Sequence, residues 1–192
     1  MAYNDETYNE DNTAEKLAKK IREQLEEKYV VECKYNICYM AKIIGYNNKG
    51  IPVFEEADGK KYKYQTDICI FKNQKDLLIP IIIIETKLGT YTTHDVITYC
   101  NKASDHKRFH NNLKYGFVVM DPKEKCFQQR RFFAHNDSFD FAAMVDVTEK
   151  ASGNGISTND FFNEYIKELI DNYEKTEKGI KGFINSCKNF EI

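Results

Sequence analysis

Residues 65–89 read QTDICIFKNQKDLLIPIIIIETKLG, and this stretch decides the fold. Residues 67–71 are rich in β-branched and aromatic side chains, which predicts a strand. The polar run 72–76 predicts a turn, and 77–88 a second strand. Ile81, Ile82, Ile83 and Ile84 leave that strand no polar side, so it is expected to be central in its sheet and covered on both faces. Glu85 and Lys87 follow, and a period of two projects them from one face. A carboxylate and an ammonium at the end of the most buried strand are costly unless they pair or take part in chemistry. Asp67, on the neighbouring strand, brings a second carboxylate within reach.

Two readings are open to these residues. One is an ion pair at a strand end, Glu85 with Lys87 or with a neighbour. The other is hydrolysis of a phosphodiester. Carboxylate oxygens are hard ligands for Mg²⁺, such an ion polarises the phosphodiester and lowers the pKa of a bound water, and a lysine orients that water and stabilises developing negative charge.

Asp67, a gap holding one strand turn, and then Glu85-Thr86-Lys87 resemble the signature of the PD-(D/E)XK nucleases. The phrase IFKNQKDLLIPIIIIETK is similar to the pattern of type I restriction nucleases, with its hydrophobic strand, short turn, Pro, β-branched run and E-x-K. Thr66 stands where the family nominally carries Pro. The resemblance implies an α/β domain with a restriction-endonuclease-like mixed central β-sheet flanked by helices. It implies a Mg²⁺-dependent DNA endonuclease, with Mn²⁺ able to substitute, of a type II restriction or phage-defence system. Asp67 and Glu85 would ligate the metal, the Thr86 carbonyl would add an oxygen, and Lys87 would position the attacking water. Within the same resemblance, TAEKLAKKI from Thr13 is similar to the first helix of resolvase-type members, where the glutamate corresponding to Glu15 reaches the metal site. The bland role for Glu15 is interaction with the helix dipole. Several branches carry Q-x-x-x-Y on the helix after E-x-K. Tyr99 matches the tyrosine, with Asp95 in place of the glutamine. Two alternatives remain: a structure-selective resolvase or repair nuclease, and a non-catalytic nucleic-acid-binding module on the same fold.

The composition fits this frame without demanding it. The 192 residues suit a single domain, expected over 13–192 behind a flexible segment over 1–12. No apolar run approaches the length of a membrane span, and the acidic N-terminus has no signal-peptide core, so a cytoplasmic protein with no membrane partner is expected. The six cysteines form no C-x-x-C pair and read as reduced thiols. With a net charge of −2, binding of double-stranded DNA requires a local basic face. The candidates are Lys61 and Lys63, on the face of Asp67 if that strand begins early, then Lys102, Lys107 and Arg108 on the helix after Glu85, and Gln128, Gln129, Arg130 and Arg131. Gln and Arg read purine edges. Each group also reads as an ordinary solvated face or strand edge. Cutting both strands of a duplex favours a homodimer, since a two-fold axis matches the substrate.

Helices are predicted over 14–28 with Thr13 as cap, over 94–110 with Thr93 as cap, and over 160–176. The last carries an apolar stripe, Phe162, Tyr165, Ile166, Leu169, Ile170 and Tyr173, which reads as core, with a dimer interface second. Residues 29–33, 37–44 and 115–120 predict strands, and 138–147 predicts partial strand. His106 and His110 have a helical zinc spacing, but no third ligand is evident.

Overall fold

The computed structural model describes residues 9–55, 62–110, 112–121, 129–147 and 159–188. Helix α1 spans Glu10–Arg22. Its cap is Asn9, whose side chain accepts the Asn12 N–H, and the buried Thr13 donates its hydroxyl to the Asn9 carbonyl. The helix therefore starts one turn before the predicted cap at Thr13. That turn contains Glu10 and Asp11 and no apolar residue, so hydrophobic periodicity is blind to it. Ala14, Leu17, Ala18 and Ile21 bury the apolar face of α1.

Strand β1 (Tyr29–Cys38) is continuous where sequence predicts two strands. Strands β2 (Ile43–Tyr46) and β3 (Pro52–Phe54) form a separate two-stranded sheet. Strands β4 (Lys63–Gln74) and β5 (Leu77–Leu88) make the central hairpin. Their turn residues, Lys75 and Asp76, both have positive φ, +50° and +65°, a backbone that suits the right-handed twist of the flanking strands. Helix α2 (Thr93–Phe109) starts at a capping box made by Thr92 and Asp95. Then come β6 (Lys114–Met120), α3 (Gln129–His135), β7 (Phe141–Val145) and α4 (Asn159–Lys188).

The main sheet has the order β1-β4-β5-β6-β7. Its first two pairings are antiparallel and its last two parallel. The β5–α2–β6 crossover makes the first parallel pair, as sequence predicts. Both faces of the sheet are covered. Leu17 of α1 and Ile166 of α4 lie in one core with Ile68, Ile82, Ile84 and Val118. Val96 of α2 and Phe132 of α3 lie in the other with Cys69, Ile83 and Phe117. Ile81 to Ile84 are at most 1% exposed. The register shifts between Ile70 and Phe71, where Pro80, which has no N–H to donate, stands opposite Phe71. Gly116 has a packing reason: a Cβ there would overlap the ring of its partner Phe141.

The α4 stripe is core: Phe162, Ile166, Leu169, Ile170 and Tyr173 are buried, and the half-buried Tyr165 packs against the same cluster. It is therefore not free to form a dimer interface. Among the described residues no helix is long and apolar enough to cross a membrane.

Candidate active site

The site lies where the central hairpin comes apart. Pairing between β4 and β5 ends at Ile68 with Ile84. Beyond that pair, β4 continues along β1 to Lys63 while β5 continues along β6 to Leu88. Asp67 and Glu85 are the next residue on each side of the split. Thr86 makes no ladder bond to β4, and Asp67 fills that place: its Oδ2 accepts the Thr86 N–H at 2.8 Å and the Thr86 hydroxyl at 3.1 Å. The Tyr115 hydroxyl donates to Glu85 Oε1 at 2.7 Å. Both acids are sheltered, Glu85 with 1% of its side chain exposed and Asp67 with 12%. Burial, reinforced by the negative charge of Asp67, pushes the Glu85 pKa up to about 7, against the pull of Lys102 and Tyr115.

Lys87 is beside this pair but is not the ion partner of Glu85. Its ammonium is 3.4 Å from Glu10 and 3.6 Å from Asp95, over the ring of Tyr99. Burial opposes the Lys87 charge, yet Tyr99, Glu10 and Asp95 outweigh it and hold the pKa above the usual lysine value. The ion partner of Glu85 is Lys102 of α2, 3.5 Å away. Lys102 also donates to the Gln65 carbonyl and lies 5.0 Å over the Tyr99 ring. Asp67 has a lysine too: Lys34 of β1 donates to its Oδ1 at 3.0 Å and is 2.7 Å from Asp11.

The resolvase-like assignment of Glu15 is corrected. Glu15 is exposed and faces Arg22 at 3.7 Å. The α1 acids that reach the site are Glu10, which lies beside Lys87 and also accepts the Leu88 N–H, and Asp11, which pairs with Lys34. Five residues turn an α-helix by about 140° beyond a full turn, so Glu10 and Glu15 cannot share a face. Tyr99 does reach the site, and burial pushes its phenol up to about 12.

The predicted basic groups do not gather at Asp67. Lys61 and Gln128 lie outside the described residues. Lys63 is half-buried and opposite Cys38. Lys107 is 2.7 Å from Asp140 and donates to the Ser138 carbonyl. Arg108 is exposed beside Asp105. Gln129, Arg130 and Arg131 open α3, where Arg130 is exposed. They lie on a helix, not a strand edge. His106 and His110 each direct Nε2 to a β1 carbonyl, of Ile37 and Cys38, and burial lowers the His106 pKa to about 4. This pair serves packing.

Glu10, Asp11 and Lys34 had no assigned role in the sequence, and Lys102 was read there only as part of a basic helix face. A signal existed for Lys102, because Asp95, Tyr99 and Lys102 fall at i, i+4 and i+7 on one helical face. None existed for Lys34, which depends on a left-handed backbone at φ +52°.

Among the described residues, and with all groups ionised, Glu10, Asp11, Asp67, Glu85 and Asp95 form their ion pairs with Lys34, Lys87 and Lys102. Five carboxylates share three ammonium groups, which leaves a net charge of −2. The donors suit a hard ion such as Mg²⁺, which takes one or two carboxylates and completes its shell with water and substrate phosphate. Among the described residues no three His, Cys, Asp or Glu side chains gather into a group that could hold a metal ion, so a cation here would have Asp67 and Glu85 as its side-chain ligands. No protein-family model matches the chain, and no curated protein matches it in sequence.

Proposed function

We propose that the chain is a Mg²⁺-dependent endodeoxyribonuclease with a restriction-endonuclease-like fold, acting in restriction or phage defence. The observation that carries this reading is the opposition of Asp67 and Glu85 at the split in the sheet, with Lys87 one pleat beyond Glu85. The element order α1–β1–β4–β5–α2–β6 around that split supports the fold assignment.

Asp67 and Glu85, with the Thr86 carbonyl, are the groups that would hold the cation. When bound, it would polarise the scissile phosphodiester and make a bound water more acidic. Thr86 fixes the Asp67 carboxylate by two hydrogen bonds and Tyr115 fixes Glu85 by one, so neither acid has to be ordered when substrate arrives. Lys87, kept cationic by Glu10 and Asp95, orients the attacking water and stabilises charge growing on the phosphoryl oxygens. The enzyme works as a homodimer, its two-fold axis matched to that of the duplex. The free thiols of Cys33, Cys38, Cys69 and Cys100 fit a cytoplasmic setting.

The test is incubation of purified protein with supercoiled plasmid in Mg²⁺, in Mn²⁺ and in EDTA. Metal-dependent nicking or linearisation, lost in Asp67→Asn and Glu85→Ala, is the expected result. An intact plasmid in all three, with folded protein, overturns the reading. Preferential cutting of branched over linear DNA would move the assignment to a resolvase or repair nuclease. Sedimentation showing only monomer, free and with DNA, would remove the dimer. One observation favours a non-catalytic DNA-binding module: Asp67 and Glu85 each already face a lysine. That module would bind DNA equally well in Mg²⁺ and in EDTA and would leave it uncut.

A further inference from the structure

Lys34 is the least expected residue at the site. Its φ of +52° is a left-handed conformation that a residue with a Cβ disfavours. The β1–β4 ladder pairs Cys33 with Ile68 and Tyr35 with Thr66 and skips Lys34 opposite Asp67. The faces change over at the same point. Tyr29, Val31 and Cys33 pack toward α1, whereas Ile37 packs toward α2. This inversion of the strand is what brings the Lys34 ammonium onto Asp67 Oδ1 rather than outward from the sheet.

We propose that Lys34 is a positioning residue that competes with the divalent cation for Asp67 Oδ1, and so sets the metal concentration at which the site assembles. The inference rests on the metallonuclease reading. Three observations carry it. The Lys34 ammonium and a cation ligated by Asp67 claim the same carboxylate, whose other oxygen is already committed to Thr86. The lysine has somewhere to go, because its side chain is 37% exposed and is held from the other side by Asp11 at 2.7 Å. Displaced from Asp67, it stays at the rim of the site on Asp11. Lys102 does not share this freedom, since it is 22% exposed and tied to the Gln65 carbonyl as well as to Glu85.

The experiment is a Mn²⁺ titration of EDTA-stripped full-length protein, counting free Mn²⁺ by electron paramagnetic resonance, with wild type, Lys34→Asn and Asp67→Asn. Asparagine tolerates the left-handed backbone and removes the charge. Lys34→Gly, which also suits that backbone, serves if the asparagine variant does not fold. The expected result is Mn²⁺ binding about tenfold tighter in Lys34→Asn, the scale of removing one competing charge from a partly buried carboxylate. The Mg²⁺ concentration giving half-maximal cleavage should fall by a similar factor. A merely structural lysine predicts unchanged or weaker metal binding. Unchanged or weaker binding in folded variants overturns the inference and leaves the metallonuclease reading standing. Wild type that binds no more Mn²⁺ than Asp67→Asn overturns both.

Discussion

The Tyr115 hydroxyl donates to Glu85 Oε1 at 2.7 Å in a part of the molecule where Glu85 is 1% exposed. This bond and Lys102 are too little to keep Glu85 at an ordinary carboxylate pKa, and burial with Asp67 opposite moves it to about 7. The sign follows from linkage. The folded pKa lies above the unfolded value, so the folded state binds the proton more tightly. Stability falls as pH rises from about 4.5 to 7, and the full loss, on the order of 3 kcal/mol, is present above pH 7. Glu85→Gln should therefore melt higher than wild type at pH 8 and show little difference at pH 4. Asp67→Asn should lower the Glu85 pKa, read by carboxylate NMR. Melting curves of Glu85→Gln that run parallel to wild type at all pH values would contradict the buried-acid account.

Lys87→Ala tests the catalytic assignment. The partners Lys87 leaves behind, Glu10 and Asp95, are 36% and 24% exposed. Solvent screens such pairs, so the loss of stability should be below about 1 kcal/mol. Cleavage should fall by roughly a hundredfold or more, the scale of removing one group that stabilises transition-state charge. Metal affinity should hold or improve. A folded Lys87→Ala protein that cuts at the wild-type rate would refute the assignment.

Gly116→Ala addresses the parallel half of the sheet. The added methyl meets the Phe141 ring from the paired strand. Ring and backbone are both confined by the core shared with Phe162 and Ile166, so a loss of about 1–3 kcal/mol in urea unfolding is expected. A second change, Phe141→Leu, should recover part of it.

The β4–β5 turn offers a gain. Lys75 and Asp76 both hold positive φ, with Gln74 paired to Leu77. Replacing them with Asn-Gly matches this backbone and should stabilise the fold by a few tenths to about 1 kcal/mol. Because the turn is at the far end of the hairpin from the split, cleavage should not change. An unaltered urea midpoint would show that the two residues carry no strain.

Much of the frame was legible in local pattern. Four isoleucines with no polar side specify a strand buried on both faces, because covering one face alone would leave apolar surface in water. Glu85 and Lys87 share a side of β5 because a strand repeats every two residues. Thr92 and Asp95 show where local reading slips by one, since Thr92 and Thr93 are equally good caps and only the capping box selects between them.

The connections between charges were not legible. Sequence set Lys87 beside Glu85, but their side chains answer to different helices: Lys87 to Glu10 of α1 and Asp95 of α2, and Glu85 to Lys102 of α2. Which acids of α1 reach the site depends on where that helix begins and how it rolls on the sheet, and its apolar face fixes the roll without naming the polar neighbours. Lys34 depends on one backbone dihedral, which its residue type disfavours and which the change of face in β1 imposes. The sequence by itself determined the central β4–β5 hairpin, the burial of its isoleucines and the two acids that oppose each other, because these follow from short periodicities. Only the tertiary structure decided which lysine meets which acid, because those contacts cross between elements far apart in the chain and their geometry is set by packing of the two cores on either side of the sheet.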